Sequence, residues 1–251
     1  EIFSQGTLML RLVIQISMFL AMPVMAVCLY LVPPWAPWFI AYVLLFNMLV
    51  GPVFSAGSVT SERERQTLDL LLTTLITPLQ MLWGKLFSGL RVSSVLTSFL
   101  MWPVVLAAIM PGVGYWSNLP TIGGYFLIVA LTCVTTAMTA LFCSTLFRKS
   151  ATALMAAYLI SVSLFLLPPA ASWFCTVFLS NSPLAGLAYA SQIFSPFAAA
   201  FHLPLDIGEY SNAGRIDVNI FWGHLTQGIC YNLALLVTVA QLFTVRWRVS
   251  E

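Results

Sequence analysis

Long apolar runs separated by short polar or proline-rich breaks set the pattern of this chain. The runs fall at Leu12–Val32, Trp38–Val59, Val92–Met110, Ile122–Phe147, Ala151–Pro168 and Ile220–Val245. A helix needs about 20 largely apolar residues to cross the hydrocarbon core of a bilayer. Each run therefore predicts a membrane-spanning helix, at about 12–32, 38–59, 84–110, 122–147, 151–170 and 220–245. The breaks carry turn chemistry: Pro33-Pro34-Trp35-Ala36-Pro37, Pro111-Gly112-Val113-Gly114 and the pair Arg148-Lys149. Pro23, Pro52 and Pro103 lie inside three of the spans, where neighbouring helices can satisfy the carbonyls that proline frees.

Two segments depart from that pattern. Leu184–Leu203 is apolar and long enough to cross, yet Pro183, Pro196 and Pro204 interrupt it, with Ser182, Ser191, Gln192 and Ser195. About Ala171–Leu203 is read as a broken, re-entrant helical hairpin. Between spans two and three the period changes to that of an amphipathic helix. Leu68, Leu71, Leu72 and Leu75 recur at i, i+3, i+4 and i+7 behind the charged run Glu62-Arg63-Glu64-Arg65. Ser61 with Glu64 three residues on fits a capping box, so a helix is predicted over 61–76. Thr77-Pro78 then reads as a second helix start.

Composition narrows the function classes. Charged residues are 7% of the 251, hydrophobic ones 60%, and the mean hydropathy is +0.95. Soluble domains carry roughly 25% charged residues, so a soluble enzyme and a nucleic-acid binder are set aside in favour of an all-α integral membrane protein. With six spans, nine of the ten cations fall on one side: Arg11, Arg63, Arg65, Lys85, Arg91, Arg148, Lys149, Arg246 and Arg248. Only Arg215 faces the other side, so both termini are predicted to be cytoplasmic. Trp35, Trp38, Trp116 and Trp173 mark outer span ends as an interfacial belt, and Trp83 and Trp247 inner ones. Cys28, Cys133, Cys143, Cys175 and Cys230 have no metal-ligand spacing and read as small hydrophobes. The chain begins at Glu1, which is read as a trimmed product, and its first apolar run as an uncleaved span.

The order Ser61-Glu62-Arg63-Glu64-Arg65-Gln66-Thr67-Leu68-Asp69-Leu70-Leu71-Leu72, followed by Thr77-Pro78 and Gly84-Lys85, resembles the coupling-helix segment of ABC-2-type transporter permeases. That family shows an alternating acidic and basic run, Gly-Thr-Leu-Glu, a Leu-Leu pair, a Thr/Ser-Pro turn and Gly-Lys. Gln66 stands where the family usually has Gly, and Asp69 where it has Glu. Ser195-Pro196-Phe197 is similar to a short sequence of the outer hairpin. The resemblance implies the membrane half of an ATP-driven exporter in the cell (inner) membrane. Glu62, Arg63, Glu64, Arg65, Gln66, Thr67, Leu68 and Asp69 would then contact a separate ATPase subunit, whose closure would tilt spans two and three. It further implies a second permease copy, the same or similar, and no catalytic residue in this chain. Gly84-Lys85 is followed by Leu86 and lacks the upstream glycine of a phosphate loop, so ATP and Mg²⁺ are assigned to the partner ATPase subunit.

The remaining polar positions admit two readings. Thr132, Thr135, Thr136 and Thr139 share one face of span four and either line a translocation path or bond within packed helices. Asn47, a lone amide at membrane depth, either binds substrate or joins helices. Asp206, Glu209, Arg215 and Asp217 form an outer loop that is either a solvated turn or a cation site. No span interior carries a carboxylate, which argues against a proton- or sodium-coupled carrier. An intramembrane enzyme would need His224 and a nucleophile, and no Gly-x-Ser-Gly turn occurs.

Overall fold

The computed structural model describes residues 2–64, 78–109, 118–179, 182–207, 210–211 and 217–248. Helix α1, Ile2–Met25, holds Pro23 near its end and passes into a π-helical turn, Ala26–Leu31, closed by Val32 N–H donating to Val27 O at 2.9 Å. Pro33-Pro34 then bars helix at Val32, and a 3₁₀ turn, Pro33–Trp35, leads into α2. Helix α2 runs Ala36–Glu64, α3 Pro78–Ile109, α4 Leu119–Leu146 and α5 Ser150–Phe178. Three short pieces follow: α6, Pro183–Ala190; a 3₁₀ turn, Ser191–Phe194; and α7, Pro196–Phe201. A two-residue antiparallel ladder pairs β1, Asp206–Ile207, with β2, Tyr210–Ser211, before α8, Val218–Arg248. Apart from that ladder the described elements are all helical, as expected.

Among the described residues five stretches are long and apolar enough to cross a membrane: Ala36–Ala56, Trp83–Ile109, Leu119–Leu146, Ser150–Phe178 and Val218–Leu242. The expected first span is represented by Gln15–Leu31, a shorter apolar helix.

Two boundaries differ from those expected. Ser61 does not open a helix; it lies in the last turn of α2, which continues to Glu64. Extending a formed helix adds one bond per residue, whereas a new start must nucleate. Glu and Arg are good helix formers, so the charged run prolongs span two. The rest of the expected interfacial helix, 65–76, lies outside the described residues. Second, α5 runs through Pro168-Pro169 to Phe178, so residues 171–178 belong to that helix and not to the hairpin. As expected of a broken segment, the chain from 183 to 201 divides into α6, the 3₁₀ turn and α7. At 1.5 Å per residue the eight residues of α6 reach only about 12 Å, far short of a bilayer.

Helix α2 is the hub, packing on α3, α4 and α5, while α4 also packs on α8. Phe39, Ile40, Val43 and Leu44 of α2 meet Leu100 and Met101 of α3 and Tyr125 and Ile128 of α4 in one buried cluster. Lipid tails are as apolar as leucine, so close packing and interhelical hydrogen bonds must hold such helices together. Small residues supply the close approach. A Cβ on Gly51 would stand 2.6 Å from Thr136 Oγ1, and one on Gly89 2.4 Å from Ser55 Oγ.

Candidate functional site

Of the expected coupling residues, Arg65, Gln66, Thr67, Leu68 and Asp69 lie outside the described residues. Glu62 and Arg63 fall in the last turn of α2, and Glu64 closes it. The exposed Glu64 carboxylate accepts a hydrogen bond through Oε1 from the Ser150 backbone N–H at 2.7 Å. Ser150 is the first residue of α5, whose N-cap Lys149 offers no side-chain acceptor. A carboxylate from one helix thus caps the start of another, where orphan N–H groups and the helix dipole both favour negative charge. The bond from the Ser150 backbone N–H, and then the nearby Lys149, hold the Glu64 carboxyl below the ordinary glutamate value.

Behind that cap a hydroxyl chain ties three helices. Ser150 Oγ donates to Thr60 Oγ1 at 2.9 Å, and Thr60 Oγ1 donates to Ala56 O at 3.1 Å. The Thr60 backbone N–H donates to Ser144 Oγ of α4 at 3.1 Å. Thr60 and Ser144 are fully buried. The ends of α2, α4 and α5 are therefore locked by short polar bonds at the Glu64 end. Thr60 and Ser150 were missed in the sequence because the capping partners are 86 residues apart, beyond any local pattern.

Midway along the bundle, Asn47 Oδ1 accepts from Ser93 Oγ of α3 and Thr136 Oγ1 of α4, each at 3.5 Å, the long limit for such a bond. Asn47 is 1% exposed and its Nδ2 has no partner among the described residues. The structure brings Asn47 and Thr136 together across α2 and α4. Each threonine of the α4 face bonds back to its own helix: Thr132 to Ile128 O, Thr135 to Thr132 O, Thr136 to Thr132 O and Thr139 to Thr135 O, at 2.7–3.0 Å. All four are buried.

The broken segment is pinned from two sides. Pro169 has no N–H for the carbonyl of Phe165 four residues earlier, and Ser195 Oγ donates to that carbonyl at 2.5 Å. Ser195 Oγ also accepts from Ala198 N at 3.4 Å, capping α7. His224 of α8 donates from Nδ1 to Ile193 O at 3.0 Å, and its Nε2 meets no partner among the described residues. Gly223 beside it leaves room for Ile193, whose side chain a Cβ there would meet at 3.1 Å. Tyr158 donates to Leu49 O near the Pro52 interruption of α2.

No group of three or more His, Cys, Asp or Glu is placed to hold a metal ion among the described residues. Of the outer acidic loop, Asp206 opens β1 and Asp217 precedes α8, while Glu209 and Arg215 lie outside the described residues.

No curated protein matches the sequence. Residues 30–245 match the family described as ABC-2 family transporter protein, from the end of the first helix almost to the end of α8. The match takes in the α2 hub, the Glu64 cap, the pinned broken segment and the last span. This chain therefore belongs to the ABC-2 transporter family, as a multi-pass membrane permease of an ABC-type transporter.

Proposed function

We propose that this permease is the non-catalytic membrane subunit of an ATP-driven exporter, moved by a separate ATPase subunit and paired with a second permease copy. ATP and Mg²⁺ belong to the ATPase subunit, and the termini and the Glu64 end face the cytoplasm, in keeping with the bias of the cations. One observation carries the reading. Helix α2 continues eight residues past its apolar stretch, which ends at Ala56, and its final carboxylate grips the first residue of α5. A push on residues 62–69 from an ATPase groove would then reach α4 and α5 together through Glu64, Thr60 and Ser150. On this reading Asn47, Thr132, Thr135, Thr136 and Thr139 face cargo only when α3 parts from α2 and α4, and the Asn47 Nδ2, without a partner among the described residues, is the group with bonding capacity to offer.

The test is affinity capture of the chain from its native membrane, followed by an ATPase assay. A co-purifying protein with a phosphate loop and vanadate-sensitive turnover is the expected result. Because Glu64 also caps α5, the interface is probed at Glu62→Lys with Arg65→Glu, which should release the ATPase while the permease stays folded. A folded permease that captures no ATPase, or retains it fully in the double variant, would overturn the coupling role and favour a carrier or channel.

A further inference from the structure

At the end opposite Glu64, an open basin of about 1100 Å³ lies between the start of α2, the later turns of α5 and the broken segment. Trp35, Trp38 and Trp173 line it and are 51%, 61% and 68% exposed. Phe201 meets Trp38 edge-on at 5.0 Å, and Tyr189 meets His202 edge-on at 6.1 Å, so contacts between rings help orient the walls. The basin's other polar groups are engaged with one another. His202 Nε2–H donates to Gln192 Oε1 at 2.9 Å, Gln192 Nε2 to Ser172 Oγ at 2.7 Å, and Ser172 Oγ to Pro169 O at 2.9 Å.

Among the described residues of the lining, Asp217 is the one carboxylate and there is no Lys or Arg. Its Oδ2 accepts from Tyr189 O–H at 3.0 Å and its Oδ1 from Asn219 N–H at 3.3 Å. Burial, then the contact with Asp217, raises the Tyr189 hydroxyl above its ordinary value, so at neutral pH it remains a donor. A carboxylate has about four lone-pair sites, so these two bonds leave Asp217 able to face a further cation. Aromatic faces are negative, and around a carboxylate they attract a cation and repel an anion. An interfacial tryptophan belt alone accounts for the rings but not for the carboxylate within the same basin.

We propose that this basin binds an amphiphilic organic cation, a protonated or quaternary ammonium-type charge carried on an apolar body. The charge sits by Asp217 and the apolar body lies against Trp35, Trp38 and Trp173. This binding does not depend on the coupling role above, since it involves the opposite end of the bundle and no ATPase.

The test uses the full chain in nanodiscs of zwitterionic lipid and equilibrium dialysis with two ions of matched shape, tetraphenylphosphonium and tetraphenylborate. Saturable uptake of the cation, one per chain, with only non-saturable uptake of the anion is expected. Asp217→Asn keeps an acceptor for Tyr189 and for the α8 cap, and should weaken cation binding at least about tenfold. Trp173→Leu keeps apolar bulk at an exposed position and should weaken it roughly three- to fivefold. Trp102→Leu, an exposed ring away from the basin, should leave it unchanged. Equal saturable uptake of both ions, or wild-type affinity in Asp217→Asn, would overturn the proposal. If Asp217→Asn does not fold, wild-type affinity in Trp173→Leu does so instead.

Discussion

Single atoms decide the close approaches in this bundle, and the glycines divide sharply by what surrounds them. A Cβ on Gly51 would lie 2.6 Å from Thr136 Oγ1 and 3.3 Å from Asn47 Oδ1, whereas one on Gly123 or Gly84 meets nothing within 4 Å. The same change of one methyl should therefore have opposite signs. Gly51→Ala is expected to cost about 1–3 kcal/mol by overpacking. Gly123→Ala should be neutral or stabilising by about 0.5 kcal/mol, because helical glycine carries an entropic penalty. Thermal unfolding in one detergent measures both, and Thr136→Ala should recover part of the Gly51→Ala loss if the hydroxyl is the obstacle. Glu64 gives a residue-scale prediction in pH. Its folded-state pKa is lowered, so its stabilisation is fully present above the unfolded value of about 4.3 and is lost as pH falls through the lower folded value. Glu64→Gln should lower the melting temperature by a constant amount from pH 6 to 8. That difference should shrink below about pH 4, and a difference that instead grows in acid would contradict the cap.

At the scale of elements, prolines and serines work as pairs. Pro169 frees the carbonyl of Phe165, and Ser195, 30 residues on, both satisfies it and caps α7. Ser195→Ala leaves a carbonyl and a helix start without their partner, an expected loss of about 1–3 kcal/mol. In a Pro169→Ala background the restored N–H can serve Phe165, so the cost of Ser195→Ala should fall. Equal costs in both backgrounds would mean that the two residues act independently. This pairing also explains how far the sequence could be read. Apolar runs locate the spans because a bilayer demands length and hydrophobicity from each helix by itself. Pro183 and Pro196 signalled a broken segment because proline acts locally. The end of α5 was misjudged because Pro168-Pro169 resembles a stop, and only distant Ser195 and close packing make those prolines tolerable within a helix. Ser61-Glu62-Arg63-Glu64 was misjudged for a related reason: its capping-box order is local, but the carboxylate's partner is on α5.

Over the whole molecule, the Glu64 end and the basin end are built differently. The first is a short-range lattice of bonds among α2, α4 and α5; the second is an open volume walled by rings. A lattice transmits displacement, because shifting α2 against α5 by one turn would break the Glu64–Ser150 and Thr60–Ser150 bonds at once. Helices α2, α4 and α5 are accordingly expected to move as one body, with any rearrangement falling between that body and α1, α3 or α8. Thr60 Oγ1 and Ser150 Oγ are 2.9 Å apart, so cysteines at both positions should be close enough to cross-link. The experiment uses Thr60→Cys with Ser150→Cys in a background where the less buried Cys175 and Cys230 are replaced by serine. ATPase turnover of the permease–ATPase complex should survive oxidation if the three helices travel together. Turnover lost on oxidation and restored by reductant would show that α2 slides against α5 during the cycle. The polar lattice would then be a contact remade at each turnover, and not the rigid link that the geometry of Thr60, Glu64 and Ser150 describes.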